Sequence, residues 1–168
     1  MADLAVRIRA AEAVDYASVC AVIDEVDALH RHALPHIFRS AGVSVRDRAD
    51  FLRWIADENS GLFVAEAEGE VIGFVHVVMR EAPQYPIFVP RRYAVVDSLA
   101  VDASWRAHGV GRALMAQAEV WALGNGASAI ELHVWEFNRD AIAFYERLGY
   151  GVVSRRMGKS LARAGTAE

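Results

Sequence analysis

Hydrophobic positions along this 168-residue chain switch between a period of two and a period near 3.6, and the switches mark out its elements. A short strand is predicted over 6–9. Residues 12–29 carry helical spacing through Val14, Val19, Val22, Ile23, Val26 and Leu29, which predicts an amphipathic helix. Residues 30–45 follow neither period and read as an irregular connection. A second helix is predicted over 46–58, with Phe51, Trp54 and Ile55 on one face. Two strand-like runs, 61–68 and 71–80, flank Glu68-Gly69-Glu70 and predict a hairpin. The stretch 81–91 holds Pro83, Pro86 and Pro90, which fix φ and lack N–H donors, so no regular structure is expected there. Residues 93–101 are rich in β-branched and aromatic side chains and predict another strand. Val110, Leu114, Ala118 and Trp121 return to the helical period, and 129–135 reads again as strand. A short helix follows, bracketed by Asn138 as N-cap and Gly149 as terminator. A final strand is predicted over 151–161 and a frayed tail over 162–168.

Composition narrows this picture to one soluble domain. With 54% hydrophobic residues the chain can bury a core of its own, and no repeat or linker divides it, so one domain over 1–168 is expected, with its core in about 6–161. Eighteen basic against 22 acidic residues leave a formal charge of −4, so no global basic field invites nucleic acid. Any anion site must be local. Cys20 is the only cysteine, which excludes an intramolecular disulfide and a cysteine-rich metal centre, and its place in the first helix predicts a small buried hydrophobe. No basic segment followed by a long apolar run opens the chain, and no stretch approaches about 18 uninterrupted apolar residues. A cytoplasmic protein with no membrane partner is expected.

The candidate anion site is Arg106-Ala107-His108-Gly109-Val110-Gly111-Arg112, where strand gives way to helix. Gly109 and Gly111 open backbone angles closed to other residues and let a ligand approach the peptide groups. The first N–H groups of the following helix lack intrahelical partners, and together with the positive end of the helix dipole they favour phosphate. Spacing separates the families that use this device. A Walker loop needs four residues between its glycines and a following Gly-Lys, whereas only Val110 stands between these two and Arg112 follows. A dinucleotide fingerprint needs a third glycine where this chain has Leu114. A simple turn, with no ligand, also satisfies two glycines.

A second motif lies thirty residues on. Asn138 and Tyr145 are seven residues apart, about two helical turns, so they share one helix face, and Leu148-Gly149-Tyr150 follows. With the strand ending in Leu99-Ala100-Val101 and the Arg106, Gly109 and Gly111 loop, the sequence resembles the GNAT superfamily of acyl-CoA-dependent N-acyltransferases over roughly 93–150. The resemblance implies an α/β fold with a mixed, mostly antiparallel central sheet, helices on both faces, and a splayed strand pair that holds acyl-CoA. It implies acetyl-CoA as co-substrate, with Leu99, Ala100 and Val101 along the pantetheine arm and thioester. The pyrophosphate would lie on the N–H groups of Arg106, Ala107, His108, Gly109, Val110 and Gly111, with Arg106 and Arg112 adding charge and Asn138 and Tyr145 also touching the cofactor. The implied partner is an amine acceptor, and the family allows a homodimer.

Attack of an amine on a thioester needs a route for the amine proton and help for the departing thiolate. Tyr145 matches the family position for the second task. A free phenol near pKa 10 would transfer its proton to a thiolate near 8.5 uphill by roughly 2 kcal/mol, so a hydrogen bond to sulfur is the expected role. Asp97, four residues before Val101, is the first candidate base, and in a regular strand it shares a side with Leu99 and Val101. Glu81, at the start of the proline-rich segment, is the second. His30, His32 and His36 cluster beside Arg31 and Pro35 with no carboxylate or cysteine at ligand spacing, so a polar loop near the acceptor is expected and no metal. His76 and His133 alternate with apolar neighbours and read as core or sheet-surface histidines; the four tryptophans read as packing residues. An N-acetyltransferase acting on a primary amine is the leading expectation, with a non-catalytic acyl-CoA sensor of the same fold and a small nucleotide-binding domain as rivals.

Overall fold

The computed structural model describes residues 5–39 and 47–161. Part of the predicted connection over 30–45, the start of the second helix at Arg46 and the tail over 162–168 lie outside them. The chain divides into two compact units, Met1–His133 and Val134–Glu168.

In the first unit the elements run β1 (Arg7–Ala10), α1 (Tyr16–Ala33), α2 (Arg48–Ala56), β2 (Ser60–Ala67), β3 (Glu70–Glu81), β4 (Arg92–Val101), α3 (Val110–Gly124) and β5 (Ile130–Leu132). The strands form one sheet in the order β1-β2-β3-β4-β5. The first four are antiparallel and β5 runs parallel to β4. Glu68 and Gly69 join β2 to β3 with φ of +54° and +85°, the paired left-handed residues of a two-residue hairpin turn.

Each face of the sheet carries helices, for reasons visible in the side chains. Val19, Val22 and Ile23 of α1 and Phe51 of α2 bury against Leu62 and Val64 of β2, Phe74 of β3 and Ala100 of β4. On the opposite face α3 lies across β2, β3 and β4 and buries Val110, Leu114, Met115 and Ala118. Burying one such large apolar side chain is worth about 1.5–3 kcal/mol, which anchors the helix. Gly73 permits the close approach, since a Cβ there would lie 2.9 Å from the Ala100 carbonyl and 3.3 Å from both Leu114 and Val101. Arg9 ties the first strand to the rest. Its guanidinium makes a two-point contact with buried Asp15, at 2.7 and 2.9 Å, and its Nε reaches Glu66 at 2.7 Å. Those donors hold the Asp15 carboxyl below the usual carboxylate range.

The first helix runs to Ala33, so His30 and His32 occupy its last turn rather than a loop. His30 Nδ1 lies 2.8 Å from the Val26 carbonyl. Cys20 is buried on the same helix.

The second unit holds α4 (Arg139–Arg147), N-capped by Asn138 and stopped at Gly149, whose φ is +92°. The strand predicted over 151–161 does not form. These residues have no regular structure and stay exposed, with Val152 at 79% and Val153 at 78%. Strand propensity reflects packing on a pleated, half-buried surface, and this exposed segment is not buried on one. Among the described residues no helix is long and apolar enough to cross a membrane.

Candidate functional site

The sheet opens along β4. Its parallel partner β5 pairs only Ile130, Glu131 and Leu132, against Ala94, Val95 and Val96. The predicted strand over 129–135 is therefore shorter than expected, and beyond Val96 no described strand pairs that side of β4. On the other side the Asp102 N–H donates to Ile72 of β3 at 2.9 Å. Because backbone groups alternate sides along a strand, Ala100 shares the direction of Asp102, while Leu99 and Val101 turn their N–H and C=O toward the open side. One of these groups is already engaged: Arg106 Nε donates to the Val101 carbonyl at 3.0 Å.

The same Arg106 contacts Glu25 of α1 through Nη2 at 3.2 Å, and Glu25 also accepts from the Ala103 N–H at 3.1 Å. Arg106, expected on a phosphate, fastens the turn after β4 to α1 through these contacts. The chain then turns through Ala107 and Gly109 at φ of +63° and +82° into α3. A side chain at Gly109 would meet open space but sit in a left-handed backbone. The first backbone bond of α3 runs from the Ala113 N–H to the Gly109 carbonyl at 3.0 Å, so the N–H groups of Val110, Gly111 and Arg112 have no intrahelical acceptor. Arg112 is exposed beside them and His108 Nδ1 lies 2.8 Å from the Arg106 carbonyl. A cation at the positive end of a helix is electrostatically misplaced unless an anion joins it.

Asp97 sits where the β3–β4 register slips: His76 faces Ser98, Val77 faces Val96, and Asp97 is the extra residue between them. This bulge removes Asp97 from the side it would share with Leu99 and Val101 in a regular strand. Val101 lies with Leu114 on the α3 face. Asp97 Oδ2 lies 3.5 Å from Nδ1 of His76, whose ring stacks on Trp54 of α2 at 4.6 Å, so Asp97 belongs to the α1/α2 face. Its side chain is 54% exposed. Glu81 stands far from this point, paired across the strands with Arg92 at 3.7 Å, and five residues of β4, roughly 17 Å, separate that pair from Asp97.

In the second unit Asn138 Oδ1 accepts the Ala141 N–H at 3.2 Å, so its side chain caps α4. Tyr145 packs edge-on against Phe144 and Tyr150, at ring separations of 5.1 and 5.8 Å, and burial pushes its phenol up to about 12. Both Asn138 and Tyr145 thus have structural work.

His76, expected as a core or sheet-surface histidine, is buried and lies beside Asp97. Its local signal was alternation between Val75 and Val77, which is that of a core residue. Trp54 and Asp97 lie about twenty residues away on either side, and nothing local reports that they converge. Among the described residues no cluster of three or more His, Cys, Asp or Glu could hold a metal.

The sequence model of the Acetyltransferase (GNAT) family matches residues 24–150. Over 101 residues the chain is 32% identical to an uncharacterized N-acetyltransferase of Methanocaldococcus jannaschii, covering 60% of this chain and 43% of that protein. Over 103 residues it is 37% identical to the mycothiol acetyltransferase of Amycolatopsis mediterranei, covering 61% of this chain and 34% of that one. The matches span less than half the length of these two relatives. Among solved structures, a mutant of the BH1408 protein from Bacillus halodurans has a TM-score of 0.89 at 27% identity, over 93% of this chain and 99% of the other.

Proposed function

The chain belongs to the GNAT family of acetyltransferases, and from that premise we propose that it moves an acetyl group from acetyl-CoA to a primary amine by direct attack on the thioester. The observation that carries this reading is the open edge of β4, which begins beyond Val96 and leads into the left-handed turn at Gly109 and the free N–H groups of α3. An extended amide-bearing arm ending in a pyrophosphate matches that sequence of features: amide groups along Leu99 and Val101, phosphates at the helix start. The N–H groups of Val110, Gly111 and Arg112 would hold the pyrophosphate, with the Arg112 guanidinium adding charge. Arg106 serves as a positioning residue, its Nε holding the Val101 carbonyl and its Nη2 holding Glu25.

In the transfer the amine lone pair forms the C–N bond. The C–S bond breaks with its electron pair going to sulfur, and the nitrogen gives up a proton. We assign that proton and the cationic amine to Asp97. A carboxylate near 3.9 and a lysine-type ammonium near 10.4 differ by roughly 9 kcal/mol, so Asp97 binds the cation and relays its proton through water. An α-amino group, near 8, leaves a smaller gap. Tyr145, by its match to the family position, supplies a hydrogen bond to the departing sulfur. With its phenol near 12, full transfer to a thiolate near 8.5 would cost about 5 kcal/mol, which supports donation of a hydrogen bond rather than a proton. The single buried cysteine and the use of acetyl-CoA fit a cytoplasmic site of action.

The test is release of free thiol from acetyl-CoA across a chemically diverse amine panel, with the acetylated product identified by mass. Acetylation of at least one amine class at a rate well above the no-enzyme control is the expected result. Tight acetyl-CoA binding without thiol release from any amine overturns it in favour of a sensor. Nucleotide binding with acetyl-CoA ignored removes both.

A further inference from the structure

Ser60, His76 and Asp97 stand on three adjacent strands with the imidazole in the middle. His76 Nε2 lies 2.9 Å from Ser60 Oγ, and Nδ1 lies 3.5 Å from Asp97 Oδ2. Trp54 stacks on the ring at an interplanar angle of 25°, fixing its plane. His76 is 3% exposed, and its buried Nδ1 makes no hydrogen bond of ordinary length.

Chemistry assigns the proton. A neutral imidazole has one donor and one acceptor nitrogen. A Ser60 hydroxyl donating to Nε2 leaves the proton on Nδ1, facing Asp97. The opposite tautomer would aim a nitrogen lone pair at a carboxylate oxygen, which is repulsive. The order of groups is that of a hydrolase triad, but the exposure is reversed. In such a triad the carboxylate is buried and the hydroxyl does the work; here the carboxylate reaches solvent and the imidazole behind it is buried.

We propose that His76 is a positioning residue for Asp97. Its Nδ1–H holds one carboxylate oxygen, its ring plane is held by Trp54 and its tautomer by Ser60, so that the other oxygen is presented to the amine. This rests on the reading of Asp97 as the carboxylate that meets the amine. The 3.5 Å separation is long for a hydrogen bond, and bonds of this kind tighten when substrate is bound.

The experiment uses the full-length protein and two readouts. His76→Phe keeps a ring on Trp54 and removes the donor; His76→Asn keeps an N–H donor near the Nδ1 position. In steady-state transfer to the best amine of the panel, H76F is expected to lower kcat/KM for the amine by about tenfold, with KM for acetyl-CoA unchanged. H76N is expected to recover most of the loss. In a D97N background H76F should add nothing further. The second readout needs no activity: nitrogen-15 NMR of the His76 ring should report the Nδ1–H tautomer, with a shift toward the other form in Ser60→Ala. An Nε2–H ring in the unaltered protein, or an equal H76F loss with and without D97N, overturns the proposal. A protein that acetylates no amine defeats the reading of the preceding subsection, and the ring tautomer then still decides whether His76 holds Asp97.

Discussion

Asp97 owes its place to one extra residue in β4. Its distance from Val101 made it a candidate in the sequence, but the face it points to depended on a bulge that no local pattern announces. Arg106 shows the reverse. Its position beside the glycines was legible, yet its Nη2 contact with Glu25, a residue of α1 distant in sequence, was not. Tyr145 was legible from its spacing to Asn138, and burial has kept its phenol a donor throughout the neutral range. Tyr145→Phe is therefore expected to lower kcat about tenfold, roughly 1.4 kcal/mol of transition-state stabilisation, while acetyl-CoA affinity stays within twofold. Single-turnover rates alongside equilibrium binding of acetyl-CoA check this, and unchanged turnover would leave Tyr145 as a packing residue beside Phe144 and Tyr150. Asp15→Ala tests a buried charge. It strands Arg9 beside Glu66, removes a two-point ion pair, and is expected to cost about 3 kcal/mol in urea unfolding.

At the scale of elements, the turn into α3 was the most legible feature of the chain, because glycines and a helical period sit side by side in the sequence. Gly109→Val separates its two roles. A β-branched side chain at φ of +82° costs on the order of 1–2 kcal/mol of stability, whereas at the mouth of the helix it also fills the space a phosphate needs. Acetyl-CoA affinity is expected to fall more than tenfold while the fold persists, as isothermal titration and thermal melting together would show; equal affinity would remove the loop from the site. Element boundaries were less legible where the decision was not local. The first helix extends to Ala33 and takes His30 and His32 with it, and β5 shrinks to Ile130–Leu132. The run over 151–161 is irregular and exposed, against the strand its composition predicts.

At the scale of the whole molecule, Asp15 links charge to folding. Because Arg9 lowers the folded-state pKa of Asp15, the stability this carboxylate contributes is present above its unfolded value near 3.9 and is lost as pH falls through the folded one. Asp15→Asn is accordingly expected to flatten the acid limb of the stability curve below about pH 4, measured by urea unfolding between pH 2 and 7, and an unchanged limb would move the linkage elsewhere. The sequence by itself determined the order of elements from β1 to α4, the glycine-bearing turn before α3 as a candidate anion site, the kinship that points to acetyl-CoA, and the candidacy of Asp97 and Tyr145. All of these rest on periodicity, glycine placement and short spacings, which are local properties of the chain. Only the tertiary structure decided that β4 opens beyond Val96, that a bulge turns Asp97 toward α1 and α2, and that His76 is wedged between Trp54, Ser60 and Asp97. Each of those depends on register and on contacts between residues sixteen or more positions apart, which the packing of helices on a sheet creates and a linear pattern does not encode.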